Sequence, residues 1–366
     1  MIASIFHLDS YDYQLPEEQI AQVPADRRDG SRLLVVDGGS NTVNDAAFAD
    51  LPQLIRPGDI LVVNDTRVFP ARLLGRKESG GQAELLLLHY PAAVNAGGIS
   101  AQGPGGQQQA EVRGLVKCSK RPKPGSRLLF GPELSAEVVA VLDGGEVRAL
   151  LSWQGDLDEV LGRYGAMPLP PYIRRQQGDA TADDRERYQT IYARSSGAIA
   201  APTAGLHFSD QLLTEIQGRG AQLASVTLHV GYGTFAPVRA QDIRDHVIHA
   251  EYVTVAETTV QAIRKAQEEG GRVWAVGTTS ARALEFAAAS GQLKPVSDWC
   301  RLYIYPGYVF RVVDNLITNF HLPKSSLLFM VSAFAGHERV MAAYRQALAW
   351  GYRFYSYGDA MALIRK

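Results

Sequence analysis

Three histidines stand in similar settings along the chain. His207 follows the bare stretch AAPTAGLHF (200–208), His229 lies in TLHVGYGTF, and His321 lies in NFHLP. Imidazole is the side chain whose charge changes nearest neutral pH, so each is a candidate proton carrier. Strand alternation puts Leu228 and Val230 on one face and His229 on the other. Gly231 and Gly233 beside it leave room above a sheet. Two further segments suit an anion. VGTTSARALE (276–285) sets Thr278, Thr279 and Ser280 between the apolar run RVWAV and a helix, and TNFHLPKSSLLFMVSAF (318–334) has the same form, with Ser325 or Ser326 as cap and Lys324 nearby. Free amides and the helix dipole favour a carboxylate or phosphate there. Equally, Thr279 or Ser280 can serve only to cap the helix.

Other chemistries find less support. His246, His249 and Glu251 in DHVIHAEY are metal-ligand types at short spacing, but they match no HExxH pattern. GxxxxGK[ST], GxGxxG after a strand, and GxSxG do not occur. Cys118 and Cys300 form no CxxC, which argues against a disulfide framework or a cysteine-built metal site and fits a reducing cytosol. With 37 basic and 38 acidic residues, the overall field cannot drive nucleic-acid binding. A local patch can: Arg113, Lys117, Lys120, Arg121, Lys123 and Arg127 lie within residues 113–127, with Glu111 the one acid close by, and such side chains follow a phosphate backbone. The longest apolar segment, LLFMVSAFAG (327–336), is too short for a membrane span, and no signal peptide is evident, so the sequence predicts a soluble intracellular protein.

The elements that must position these residues read as α+β. Pro16 predicts a short helix before Pro24, and SRLLVVDGG and RPGDILVVNDTRVFPARLLGRK read as strands. Short strands separated by turns then fill about 67–156, which predicts an inserted all-β, barrel-like domain. Inside it NAGGISAQGPGGQQQ (95–109) reads as a long mobile hairpin loop. From about 157 helices and strands mix: SDQLLTEIQGRG is a helix, VAETTVQAIRKAQEEGGRVWAVGTTSARALEFAAASG is helix, strand, helix, and HERVMAAYRQALAWG closes the chain's helices. The expected organisation is a mixed α/β main domain from 1–66 and 157–366, interrupted by the small β domain at 67–156.

Several of these strings together resemble one family, the S-adenosylmethionine:tRNA ribosyltransferase-isomerases of queuosine biosynthesis. They are VNDTRVFPARLLGRK, SKRPKPG, MPLPPYI, RYQTIYA, AIAAPTAGLHF, LHVGYGTFAPV, HAEY, VGTTSARALE, YIYPGY, ITNFHLPKSSLLFMVSAFAG and YRFYSYGDAM. The resemblance implies transfer and isomerisation of the ribosyl part of S-adenosylmethionine onto the aminomethyl nitrogen of 7-aminomethyl-7-deazaguanine in a tRNA anticodon. Epoxyqueuosine-tRNA, adenine and methionine would be the products. It also implies the split layout, S-adenosylmethionine as co-substrate, no permanently bound cofactor, no metal, no membrane association and a cytoplasmic monomer or weak homo-oligomer.

Under that resemblance His207, His229, His321 and Asp359 are the catalytic candidates, with the identity of the base open. Thr203, Gly205, Gly231, Gly233, Thr278, Thr279, Ser280 and Asn319 are expected to bind S-adenosylmethionine. Arg67, Arg72, Lys117, Lys120, Arg121 and Lys123 are expected to hold the anticodon stem-loop. The bare backbone at 200–205 would let a nucleoside lie on the main chain, with Leu206 and Phe208 anchoring the turn. The chain departs from the family pattern at Arg113 and Cys118, where an aromatic and a proline are expected. A non-catalytic tRNA-binding module on the same scaffold is the alternative.

Overall fold

A computed structural model describes residues 4–91, 107–175, 182–235 and 237–365. The chain divides into two compact units, the first made of Met1–Thr66, Arg187–Ala193 and Pro202–Lys366, the second of Arg67–Glu186 and Arg194–Ala201. The first unit opens with β1 (Arg32–Asp37), β2 (Thr42–Ala47) and β3 (Ile60–Asn64). Through β4 (Thr66–Val68) the chain enters the second unit: β5 (Arg72–Lys77), β6 (Gln82–Leu87), β7 (Gln108–Cys118), β8 (Arg127–Gly131), β9 (Leu134–Val141), β10 (Glu146–Trp153), α1 (Leu157–Tyr164), β11 (Gly165–Ala166), α2 (Ala182–Arg187) and β12 (Ser195–Ala198). The return to the first unit supplies α3 (Asp210–Gly218), β13 (Gln222–Leu228), β14 (Glu251–Val255), α4 (Glu257–Glu268), β15 (Val273–Val276), α5 (Gly277–Ala287), β16 (Val296–Cys300), β17 (Asn315–Asn319), α6 (Ser326–Ala335), α7 (His337–Ala349) and β18 (Ala360–Ile364).

In the first unit a mixed sheet runs in the order β16-β14-β13-β3-β15-β17-β18-β1-β2. Its middle, β13-β3-β15-β17, is parallel throughout. β3 and β15 come from unbroken apolar runs rather than alternating ones, and every residue of β3, β15 and β17 is buried. That is the pattern of a parallel strand covered on both faces. One face carries Leu61, Val63, Trp274, Val276 and Ile317 against Leu212, Leu213 and Ile216 of α3. The amphipathic repeats seen in the sequence form their helices. Ser209 and Ser325 cap α3 and α6 by accepting from the amides of Leu212 and Leu328, as their position before an apolar repeat predicts.

The second unit is a closed barrel of six antiparallel strands, β5-β6-β7-β10-β9-β8, shut by pairing of β5 with β8, with β11 added beside β5. Alternation along β9 and β10 turns Leu134, Ala136, Val138, Val147, Ala149, Leu151 and Trp153 inward. The sequence reading returns the chain to the main domain at 157, whereas the barrel unit continues to Glu186. Leu157, Val160 and Leu161 of α1 belong to the barrel's core. Most of the glycine- and glutamine-rich loop expected at 95–109 lies outside the described residues. The helix expected after Pro16 is a single 3-10 turn, Glu17–Gln19. There the chain instead pairs Ile20 with Phe354, and the Phe354 amide donates to the Gln19 carbonyl. Among the described residues no helix is long and apolar enough to cross a membrane.

Candidate active site

The four parallel strands end on the segments that carry the candidate chemistry. β3 runs into Asp65 and Thr66, β13 into His229, β15 into Gly277 and Thr278, and β17 ends on Asn319. Ligands of open α/β sheets bind outside the carboxyl ends of parallel strands, and this edge is where the sequence motifs converge. The 3-10 turn Thr203–His207 packs against β17, α5 and the Arg28–Gly30 turn.

At the β3–β13 edge Asn64 is wholly buried and joins the two strand ends. Its Nδ2 donates to the Leu228 carbonyl at 2.9 Å, and its Oδ1 accepts from the amides of Leu228 at 3.0 Å and Thr66 at 3.2 Å. The Thr66 hydroxyl is thereby set 2.8 Å from His229 Nδ1. Nε2 of His229 has no partner among the described residues. The ring is half-buried, and burial pulls its pKa below the usual 6.5 against an upward pull from Asp65. It is a neutral imidazole, held at one nitrogen and open at the other. Asp65 accepts from Thr227 Oγ1 at 2.6 Å.

His207 is held differently. Ser31 Oγ lies 2.7 Å from its Nδ1, and Asn319 Nδ2 lies 3.0 Å from its Nε2. Asn319 Nδ2 also faces the Tyr355 and Asp359 carbonyls, which fixes it as the donor end of the amide. Nε2 therefore accepts, and Nδ1 carries the proton toward Ser31. The ring lies beside Phe48 with centroids 5.0 Å apart. Burial pushes its pKa down to about 4, with Asp359 acting the other way.

His321 is also buried, which pushes its pKa down to about 3. Its Nε2 meets Thr318 Oγ1 at 2.9 Å, its amide donates to the Tyr344 hydroxyl, and its carbonyl accepts from Tyr13. Asp359 accepts from the amides of Arg32 at 3.0 Å and Arg353 at 2.8 Å and from the Arg353 guanidinium at 3.2 Å. Both of its oxygens are committed to the main chain around it.

The predicted binding residues divide similarly. Gly277 starts α5 at φ +88°, a conformation glycine adopts without strain. The helix thus begins two residues before Thr279, and neither Thr279 nor Ser280 is its cap. Ser280 Oγ donates to the Val276 carbonyl at 2.7 Å, Thr278 is buried, and the buried Thr279 Oγ1 has no partner among the described residues. Thr203 is half-buried at the start of its turn. Gly205 is needed for contact: a Cβ there would lie 2.1 Å from the Tyr192 hydroxyl. At Gly233 a Cβ would lie 2.3 Å from His249 Cδ2, whereas at Gly231 a Cβ would make only ordinary contact with Glu251, at 3.9 Å, and the Gly231 amide donates to Glu251 Oε1 at 2.9 Å. Glu251 also pairs with Arg282 of α5, which donates to the carbonyls of His249, Cys300 and Leu302. Among the described residues no three His, Cys, Asp or Glu side chains converge as a metal would require.

The basic candidates lie in the barrel unit. Arg72 is clasped by Glu84 at 2.9 and 3.0 Å, Arg113 pairs with Glu146, and Arg127 lies 4.0 Å from Glu78. Lys117, Lys120, Arg121 and Lys123 are exposed and have no acidic partner among the described residues, as is Arg67 on β4. The four run along the end of β7 and the connection to β8, one end of the barrel.

Residues 8–363 match the family described as queuosine biosynthesis protein. This chain belongs to that family. Two relatives named S-adenosylmethionine:tRNA ribosyltransferase-isomerase match nearly all of it. The one from Desulfotalea psychrophila is 50% identical over 97% of both chains, and the one from Nitratidesulfovibrio vulgaris is 53% identical over 98% of this chain and 97% of its own. A solved structure, the S-adenosylmethionine tRNA ribosyltransferase of Thermotoga maritima, covers 97% of this chain and all of its own at 31% identity, with a TM-score of 0.52. Asn64, Asp65 and Thr66 are the candidate site residues that sequence reasoning missed. The signal was VNDTR, a polar triplet ending a buried apolar run.

Proposed function

We propose that this chain transfers and isomerises the ribosyl moiety of S-adenosylmethionine onto 7-aminomethyl-7-deazaguanine in a tRNA anticodon, giving epoxyqueuosine-tRNA, adenine and methionine. The observation that carries the reading is the convergence of four parallel strand ends on polar segments, with His229 the one candidate histidine that is both half-exposed and bonded at a single nitrogen. The reaction must begin by removing the 5′ proton beside the sulfonium, whose positive charge stabilises the carbanion left behind. His229 Nε2 is the base in this reading. A neutral imidazole steadied through Nδ1 suits that task at neutral pH.

His207, His321 and Asp359 then act through position. His207 links Ser31 to Asn319, His321 ties the end of β17 to Thr318 and Tyr344, and Asp359 fixes the Arg32 and Arg353 main chain. The start of α5, with its positive dipole end and the Thr279 hydroxyl that has no partner among the described residues, suits the methionine carboxylate. Gly231 and Gly233 keep side chains away from the backbone that follows His229, and Thr203 and Gly205 form the turn below the ligand. Lys117, Lys120, Arg121 and Lys123, with Arg67, supply the contact to the RNA backbone, and a tRNA-modifying role places the protein in the cytoplasm. The test is to incubate the protein with S-adenosylmethionine and a stem-loop carrying the modified base, and to identify the small products by mass spectrometry. Adenine and methionine in step with a mass gain on the RNA are expected. S-adenosylhomocysteine, or RNA binding with neither product, would overturn the reading.

A further inference from the structure

Three residues that each carry a buried polar atom without a partner among the described residues lie around one turn. Tyr192 Oη, Thr190 Oγ1 and Asn319 Oδ1 are each buried and have no hydrogen-bond partner among the described residues. Tyr192 and Thr190 both press on Gly205: a Cβ there would lie 2.1 Å from the Tyr192 hydroxyl and 2.7 Å from Thr190 Cγ2. Asn319 touches the same turn through His207. Its Nδ2 is spent on His207 and two carbonyls, so only its acceptor oxygen is left over. Leaving a buried hydrogen-bonding group unpaired costs stability, and a protein interior seldom retains several together without a use for them. Thr190 and Asn319 are only 4% and 2% exposed, so bulk water does not satisfy them.

We infer that Tyr192, Thr190 and Asn319 form a recognition site for an aminopurine edge, an exocyclic amine beside a ring-nitrogen acceptor. The chemistry follows from the atoms. Asn319 Oδ1 can only accept, so it calls for an N–H. The Tyr192 and Thr190 hydroxyls can donate, so they call for a ring nitrogen. Burial raises the Tyr192 pKa, which keeps the phenol protonated as a donor. The absence of a side chain at Gly205 lets the phenol reach the turn. The inference rests on the reaction proposed above, in which two bases carry such an edge: the adenine of S-adenosylmethionine and the 7-deazaguanine of the RNA. Neither Tyr192 nor Thr190 has a part in the proton transfer assigned to His229.

The test compares the full chain with Tyr192→Phe, and with Thr190→Val as the second variant, by calorimetric titration with adenine, with S-adenosylmethionine and with a stem-loop carrying 7-aminomethyl-7-deazaguanine. Because the hydroxyl has no partner among the described residues, Tyr192→Phe should leave the melting temperature of the free protein unchanged or raise it. Affinity for adenine and S-adenosylmethionine should fall about tenfold or more, the loss expected when a buried partner is left unpaired, while RNA affinity holds. A loss confined to the RNA assigns the same site to the 7-deazaguanine. Unchanged affinities for all three overturn the inference, and a lowered melting temperature with them would identify a buried water as the partner. Product formation by the wild type reports separately. Turnover with affinities indifferent to both variants overturns the site alone, and adenine binding that depends on Tyr192 without turnover overturns the reaction alone.

Discussion

Replacing His229 with asparagine removes the proposed base while keeping an amide near the position of Nδ1, within reach of the Thr66 hydroxyl that now lies 2.8 Å from the ring. The half-buried ring contributes little to the core, so folding should be unaffected. The rate should not be. A positioned general base contributes about 100- to 10,000-fold, so single-turnover adenine release should fall by that factor, about 3–5 kcal/mol in the barrier. The pH profile gives a second readout. His229 works as a base only when neutral, and burial lowers its pKa from 6.5. In the wild type kcat/KM should therefore fall on an acidic limb lying below pH 6.5 and be level above it. Asp65 pulls that pKa upward, so Asp65→Asn should move the limb to lower pH. Thr66→Val should slow the reaction by freeing the ring without removing it. Wild-type rates in His229→Asn, with the acidic limb intact, would refute the assignment.

Three further outcomes follow from the same geometry. Gly205→Ala should destabilise the protein by about 1–3 kcal/mol, as overpacking does, because the new Cβ meets the Tyr192 hydroxyl at 2.1 Å; thermal unfolding checks this, and pairing it with Tyr192→Phe should recover part of the loss. His207 is neutral when folded and has its pKa lowered to about 4, so its contribution is complete above pH 6.5, where the unfolded imidazole is also neutral, and is lost as pH falls toward 4. Acid titration of stability should show a loss on the order of 3 kcal/mol from this group across that window, reduced in His207→Gln. Lys120→Ala, Arg121→Ala and Lys123→Ala should each weaken stem-loop binding without regard to sequence and lower the salt dependence by about one counterion; filter binding across a salt series reads it, and an unchanged slope in the triple variant would remove the barrel end from the RNA interface.

Much of this architecture could be read from residue order because it rests on local rules. Ser209 and Ser325 stand before apolar repeats and cap α3 and α6, and the unbroken runs of β3 and β15 form buried parallel strands. The bare turn before His207 could be seen, but its cause could not: Tyr192 fills the place of a side chain at Gly205. The difference among the three histidines was likewise hidden, because it depends on partners remote in sequence. Thr66 stands 163 residues from His229, Ser31 stands 176 from His207, and Tyr344 reaches the amide of His321. The extent of the barrel unit was misjudged for a related reason. The helical texture at 157 suggested the main domain, yet its apolar face, Leu157, Val160 and Leu161, packs into the barrel. At α5 the glycine that begins the helix stands in for the side-chain cap that the run of hydroxyl residues suggested.

The central claim, that the carboxyl edge of β13-β3-β15-β17 is where S-adenosylmethionine is bound, is tested most directly by hydrogen–deuterium exchange with and without that compound. Protection concentrated in peptides spanning 64–66, 203–207, 229–233, 277–280 and 318–321 is the predicted result. Protection elsewhere, with those five segments exchanging as in the free protein, would contradict it.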